Sequence, residues 1–216
     1  MTWSLNELEA ETRKAVRGAG LSWGLSEEGA KAVRWLAAHG ADPLPALSDV
    51  LERHDQREKI TPVFDAVFGH WHADASICPI TLGATLSDYA DRLTTDTLVA
   101  GPVARPLLLA PFVAAAARIL KRSLELDVNG MRLTLDEKGD PAGDLSILDV
   151  PDASEVRCAI ARGQPSAVPA RPASTRGIET DPQSWARIAS YVHRTYVPAS
   201  ERSRREGAGA GMIDND

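Results

Sequence analysis

The chain has 216 residues, 44% of them hydrophobic and 25% charged, with a net charge of −6. This is an ordinary globular mixture, long enough to bury a core without staples, and its acidic balance argues against a general nucleic-acid binder, which needs clustered lysine and arginine. The two cysteines, Cys78 and Cys158, form no disulfide framework or zinc knuckle and suit a reducing compartment.

Chain order begins with helices. Ser4 and Glu7 have the spacing of a capping box, and Leu5, Leu8, Thr12, Ala15, Val16 and Ala19 follow at helical intervals before Gly18 and Gly20 end the run. Ser26, followed by Glu27 and Glu28, is the expected cap of a second helix with Val33, Leu36 and Ala37 on its buried stripe and Gly40 as its stop. Asp42-Pro43 opens a third, carrying Leu47, Val50 and Leu51. Thr61-Pro62 predicts a short helix holding Phe64, Val67 and Phe68, and Gly69 to Pro79 reads as a loop. Leu82, Leu86, Tyr89, Ala90 and Leu93 return to a helical period, Pro102 and Pro106 break the chain, and Pro111 sits in the first turn of a helix to about Arg122.

Asn129-Gly130 predicts a type I′ hairpin, because both turn residues need positive φ. A two-residue loop pairs Val128 with Met131, Leu126 with Leu133 and Leu124 with Leu135, and sets Asp127 across from Arg132. Further strands are expected at Leu145 to Ile147 and Val156 to Ile160, the latter burying Cys158. A Pro-, Ser- and Arg-rich loop from Gly163 to about Gly177, with Ser174, Thr175 and Arg176, precedes a last helix opened by Asp181-Pro182. Its stripe is Trp185, Ile188, Ala189, Val192 and Tyr196, and Pro198 stops it. Helices, then strands, then a helix predict an α+β fold: a helical N-terminal lobe over 1–100, and a mainly antiparallel sheet with a C-terminal helix and glycine-rich tail over 101–216, or one compact domain of both.

Three constellations can carry chemistry. His70 and His72 would point the same way from a strand and can share a metal ion, with Asp74 or Cys78 near; the alternative is two ordinary loop histidines. Cys78 stands just before a predicted helix, where a thiolate would gain from the helix N-terminus, or it is a small buried residue. In the tail, Ser200, Ser203 and Arg204 precede Gly207 and Gly209; an arginine fork, hydroxyls and glycine amides can cradle an anion, against the alternative of a frayed end. Trp23, between Ser22 and Gly24, either walls a pocket or packs a helical hairpin closed.

The segments Ser4-Leu5-Asn6-Glu7-Leu8-Glu9-Ala10, Gly18 to Gly24 and Thr195 to Glu201, with Ser203-Arg204 and Gly207 to Gly211, resemble an uncharacterised family of proteobacterial proteins of unknown function. The resemblance implies that the tail belongs to the domain; it supplies no catalytic residues.

The expectation is therefore a cytoplasmic protein, since the N-terminus has no basic and apolar leader and no apolar run approaches the roughly 20 residues of a membrane span. Its leading function is that of an enzyme or binder for a small anionic metabolite. Ser200, Ser203, Arg204, Gly207 and Gly209 would hold the ligand and Trp23 or His72 would form a wall. The competing readings are an accessory or interaction subunit, including a homo-oligomer, and a metalloprotein using His70 and His72.

Overall fold

A computed structural model describes residues 2–56, 63–65, 70–162 and 178–196. Its first elements are β1 (Thr2–Trp3), α1 (Leu5–Gly18), α2 (Trp23–Ala38) and α3 (Leu44–Asp55). The capping box forms as the sequence demands: the Glu7 amide donates to Ser4 Oγ at 3.2 Å, and the Ser4 amide donates back to Glu7 Oε2 at 3.0 Å. Leu5, Leu8, Thr12, Ala15, Val16 and Ala19 are all buried. The second helix starts a turn earlier than expected. Ser22, not Ser26, is its cap and accepts from the Leu25 amide at 3.3 Å, while Ser26 is buried and donates to the Ser22 carbonyl at 2.8 Å. A serine one turn inside a helix can satisfy itself in this way, so two serines four apart compete for the cap.

The middle departs most from expectation. Val63–Asp65 is a strand, β2, rather than the start of a helix; Val67 and Phe68 lie outside the described residues. His70–Ile77 is a strand, β3, rather than a loop. Its apolar residues alternate as Trp71, Ala73, Ala75 and Ile77, a period-two signal muted by the small alanines, and Trp71, Ala73 and Ile77 pack against the core. Next come α4 (Pro79–Asp88), a 3-10 turn, β4 (Leu98–Ala104), a second 3-10 turn (Pro106–Leu109) and α5 (Ala110–Leu120). Pro102 does not end the strand: β4 pairs with β9 (Val156–Ile160) up to Ala100 and with β8 (Asp152–Ala153) from Val103, so its missing N–H falls between the two ladders.

The hairpin of β5 (Leu124–Val128) and β6 (Met131–Leu135) has the expected register throughout, with Asn129 at φ +52° and Gly130 at φ +87°. Leu145–Leu148 is a 3-10 turn instead of a strand. Asp144 caps it, and Leu145 and Leu148, three apart, both face inward. The main sheet has the order β2-β3-β4-β9-β5-β6-β7 with β8 against β4 and β7 at Pro141–Ala142. Among the described residues only the β3–β4 pair is parallel; the other pairings are antiparallel. The fold is α+β, and β4 crosses the position near residue 100 where the sequence suggested a lobe boundary.

β10 (Ile178–Glu179) pairs with β1 and leads into α6 (Pro182–His193), capped by Asp181. Tyr191 takes the buried place expected for Tyr196, which lies past the helix end and is exposed. A β-carbon on Gly18 would collide with the Tyr191 carbonyl, so glycine lets α1 and α6 touch backbone to backbone. The core is one cluster running through both halves of the chain, from Leu8 and Leu36 to Leu108 and Leu126, each leucine worth roughly 1.5–3 kcal/mol.

Candidate functional site

A recess of about 490 Å³ lies where the α2–α3 turn meets the segment that follows β6. Its polar lining is His39, Asp42, Asp144, Ser146 and Asp149, and Leu107 adds apolar surface. Among the described residues no lysine or arginine lines it. The local sequence explains each acidic position. α2 ends at Ala38 and the chain turns through Gly40, so Asp42 stands ready to accept the Leu44 amide at 3.1 Å at the start of α3. Asp144 accepts the Ser146 amide at 2.9 Å and opens the 3-10 turn, which delivers Asp149 at its end.

These two carboxyls have different electrostatics. Burial, reinforced by the charges of Asp181 and Asp149, pushes the Asp42 carboxyl above the usual carboxylate range. The amide and hydroxyl of Ser146 hold Asp144 below it. One cleft thus holds one carboxyl shifted up by burial and like charge and another shifted down by hydrogen bonds. His39, buried at the C-terminus of α2, stacks on Trp35 with ring centroids 4.1 Å apart. Its Nδ1 lies 2.8 Å from the Trp35 carbonyl, which can only accept, so Nδ1 carries a proton; Nε2 lies 3.4 Å from Asp140 Oδ1.

A polar girder stands behind the cleft. Asp49 accepts from Arg53 Nε at 3.0 Å and Arg105 Nε at 2.6 Å, and Arg53 reaches on to Asp152, which also accepts from Ser76 at 2.8 Å. Burial alone would raise Asp49, but the two guanidinium groups outweigh it and hold the carboxyl below its ordinary range. Arg105 Nη1 lies 3.9 Å from Asp149 and connects the girder to the cleft wall.

The residues singled out in sequence lie elsewhere. Trp23 sits in the first turn of α2, 67% exposed, with the Arg17 guanidinium 5.1 Å from its ring centroid, and it is not part of the cleft lining. His72 is exposed on β3, opposite Val63 of β2 and Gly101 of β4. His70 is on the same strand, but its side chain, like that of Asp74, lies outside the described residues. Among the described residues no group of three or more His, Cys, Asp or Glu is placed to hold a metal ion. Ser200, Ser203, Arg204, Gly207 and Gly209 lie outside the described residues, as do Ser174, Thr175, Arg176 and Pro198. Cys78 does cap α4, yet burial pushes its thiol up and the amides of Thr81 and Ile80 only partly offset this, which is the opposite of activation. Cys158 is buried in the sheet and pushed up to about 12.

Sequence reasoning used Gly40 and Asp42 as helix punctuation and left Asp144 and Asp149 aside. The available signal was two Asp- and Gly-containing turns; their convergence is tertiary and has no local signature.

Among the described residues no helix is long and apolar enough to cross a membrane. No curated protein matches the chain. Residues 3–64, which span α1, α2 and α3, match the model of a family described as "Protein of unknown function (DUF3726)". The expected resemblance to an uncharacterised family therefore holds for that N-terminal stretch, which brings Asp42 and the α2–α3 side of the cleft within the matched region.

Proposed function

We propose that the protein is a cytoplasmic small-molecule binder or enzyme whose site is the cleft between the α2–α3 turn and the Pro141–Asp149 segment, and that its ligand carries an amine or guanidine group. The observation that carries this reading is the lining itself: three aspartates, Asp42, Asp144 and Asp149, with His39 and, among the described residues, no lysine or arginine. The volume falls in the usual range of about 300–1,000 Å³ for small-molecule sites. Both cysteines are free thiols, which favours a reducing compartment. The anion-binding expectation for Ser200, Ser203, Arg204, Gly207 and Gly209 is a separate proposal that draws no support from this cleft, whose charge disfavours an anion.

Thermal unfolding tests the assignment. The melting temperature is measured with a panel of diamines, guanidines and dicarboxylates, on the wild type and on the paired substitution Asp144→Asn, Asp149→Asn. A ligand near a hundred times its Kd stabilises by about 2.7 kcal/mol. The expected result is a rise with an amine or guanidine that the paired substitution removes. A rise with dicarboxylates alone, or one that the paired substitution leaves intact, overturns the assignment.

A further inference from the structure

A second concave surface, about 350 Å³, runs between α2 and α5 on the face of α2 that carries Lys31 and Trp35. Its floor is apolar and mostly small: Ala32, Ala38 and Ala115, with Trp35, Pro111 and Phe112 as the larger pieces. On α2 the lining extends from Glu28 to Ala38, about 15 Å of helix at 1.5 Å per residue, which matches two to three turns of a third helix. Arg118 is the last lining residue on α5, and Ile119, which follows it outside the lining, is 65% exposed.

Charge surrounds this floor unevenly. Lys31 is paired with Glu28 at 2.7 Å and Arg34 with Glu9 at 3.4 Å. Arg118, Lys121 and Arg122 follow one another at the exposed end of α5, and among the described residues none of them makes an ion pair. The Ala161 amide donates to the Ser123 carbonyl at 2.9 Å, which brings the exposed Arg162 to the same end of the molecule. In a chain of net charge −6, Arg118, Lys121, Arg122 and Arg162, none of them in an ion pair among the described residues, form a local cluster of positive charge beside an exposed isoleucine.

We propose that this groove docks an acidic amphipathic helix of a partner protein. The apolar face of that helix would lie on Ala32, Trp35, Ala115 and Phe112, reach Ile119 at the groove's end, and set its carboxylates against Arg118, Lys121 and Arg122. Helix-in-groove recognition uses this combination of an apolar trough for anchors at helical spacing and a complementary charged rim. The cleft plays no part, so either assignment can fail alone.

The probe is a fluorescein-labelled synthetic peptide of about 18 residues with leucines along one helical face and glutamates elsewhere. Its control keeps the leucines and replaces every glutamate with lysine. Binding to the full chain is read by fluorescence anisotropy. The glutamate peptide should bind, the lysine peptide should not, and Arg118→Glu should weaken binding roughly tenfold or more. Raising salt from about 50 to about 500 mM should weaken it as well. Arg118 is exposed, so the variant should keep the wild-type melting temperature; if it does not, Ile119→Glu at the other exposed position replaces it. Three outcomes overturn the proposal: no binding of the glutamate peptide, equal binding of both peptides, or binding that these variants leave unchanged. Binding of phosphatidylglycerol vesicles in place of the peptide makes the face a membrane surface. A dimer in sedimentation that Arg118→Glu disperses assigns it to a second copy of the chain. Either of these results also overturns the proposal.

Discussion

The cleft and the groove share α2 but differ in sign and in support. The cleft, at the C-terminal end of the helix, is lined by Asp42, Asp144 and Asp149 and backed by the Asp49–Arg53–Arg105 girder. The groove, along the helix's side, has a floor of alanines and aromatics and a basic rim. A net charge of −6 describes neither surface. Composition excludes a general polyanion binder, but it averages over surfaces that recognise opposite charges, and only the fold segregates them.

The largest expected effect tests the cleft's support. Asp49→Ala leaves two guanidinium groups without their shared carboxylate and should destabilise by roughly 2–3 kcal/mol in urea unfolding, the upper range for hydrogen bonds to charged groups. It should also shift Asp149 through Arg105 and so weaken amine binding, while leaving peptide binding at the groove unchanged.

The converse change strikes the groove. A β-carbon on Gly83 of α4 would run into the Phe112 ring, part of the groove floor. Gly83→Ala should cost about 1–2 kcal/mol, the overpacking penalty less part of the gain in helix propensity. It should disturb the groove and spare the cleft, and equal loss at both sites would break the separation of the two.

Asp42 gives a smaller effect with a defined pH dependence. Its carboxyl is raised in the folded state, so its favourable contribution is full below the unfolded value and disappears as pH rises through the folded one. Near pH 7 the charged form therefore works against the fold. Asp42→Asn should raise the melting temperature there, and the gain should vanish at about pH 3, where the wild-type carboxyl is already protonated. A loss of stability near pH 7 would show that the Asp42 charge supports the turn. The smallest effect is that of Arg118→Glu on stability, within about 0.5 kcal/mol, as for an exposed position without an ion pair.

What was legible in the sequence follows the range of the interactions. The β5–β6 hairpin was readable to its register because a two-residue Asn-Gly turn determines pairing locally and the Asp127–Arg132 pair, 3.0 Å apart, agrees with it. The Ser4–Glu7 box was readable for the same reason. β3 was missed because the small Ala73 and Ala75 mute its alternation and because its partner β4 lies beyond α4 in the chain. Leu145 to Ile147 resembled a strand until the Asp144 cap is considered, since a short apolar run has no helix or strand signature of its own. The cleft required Asp42 and Asp149 to meet across more than a hundred residues, and no spacing rule encodes that distance.

The central claim is that the cleft, and no other described surface, receives a cationic small molecule. Titrating the isotope-labelled protein with 1,4-diaminobutane and following backbone amides by NMR tests it directly. The account predicts saturable shifts confined to Gly40, Ala41, Asp42, Gly143, Ser146 and their neighbours, absent when Asp144 and Asp149 are both asparagine. Shifts centred on Ala32 and Ala115, or no saturable shift with any amine or guanidine, would contradict it.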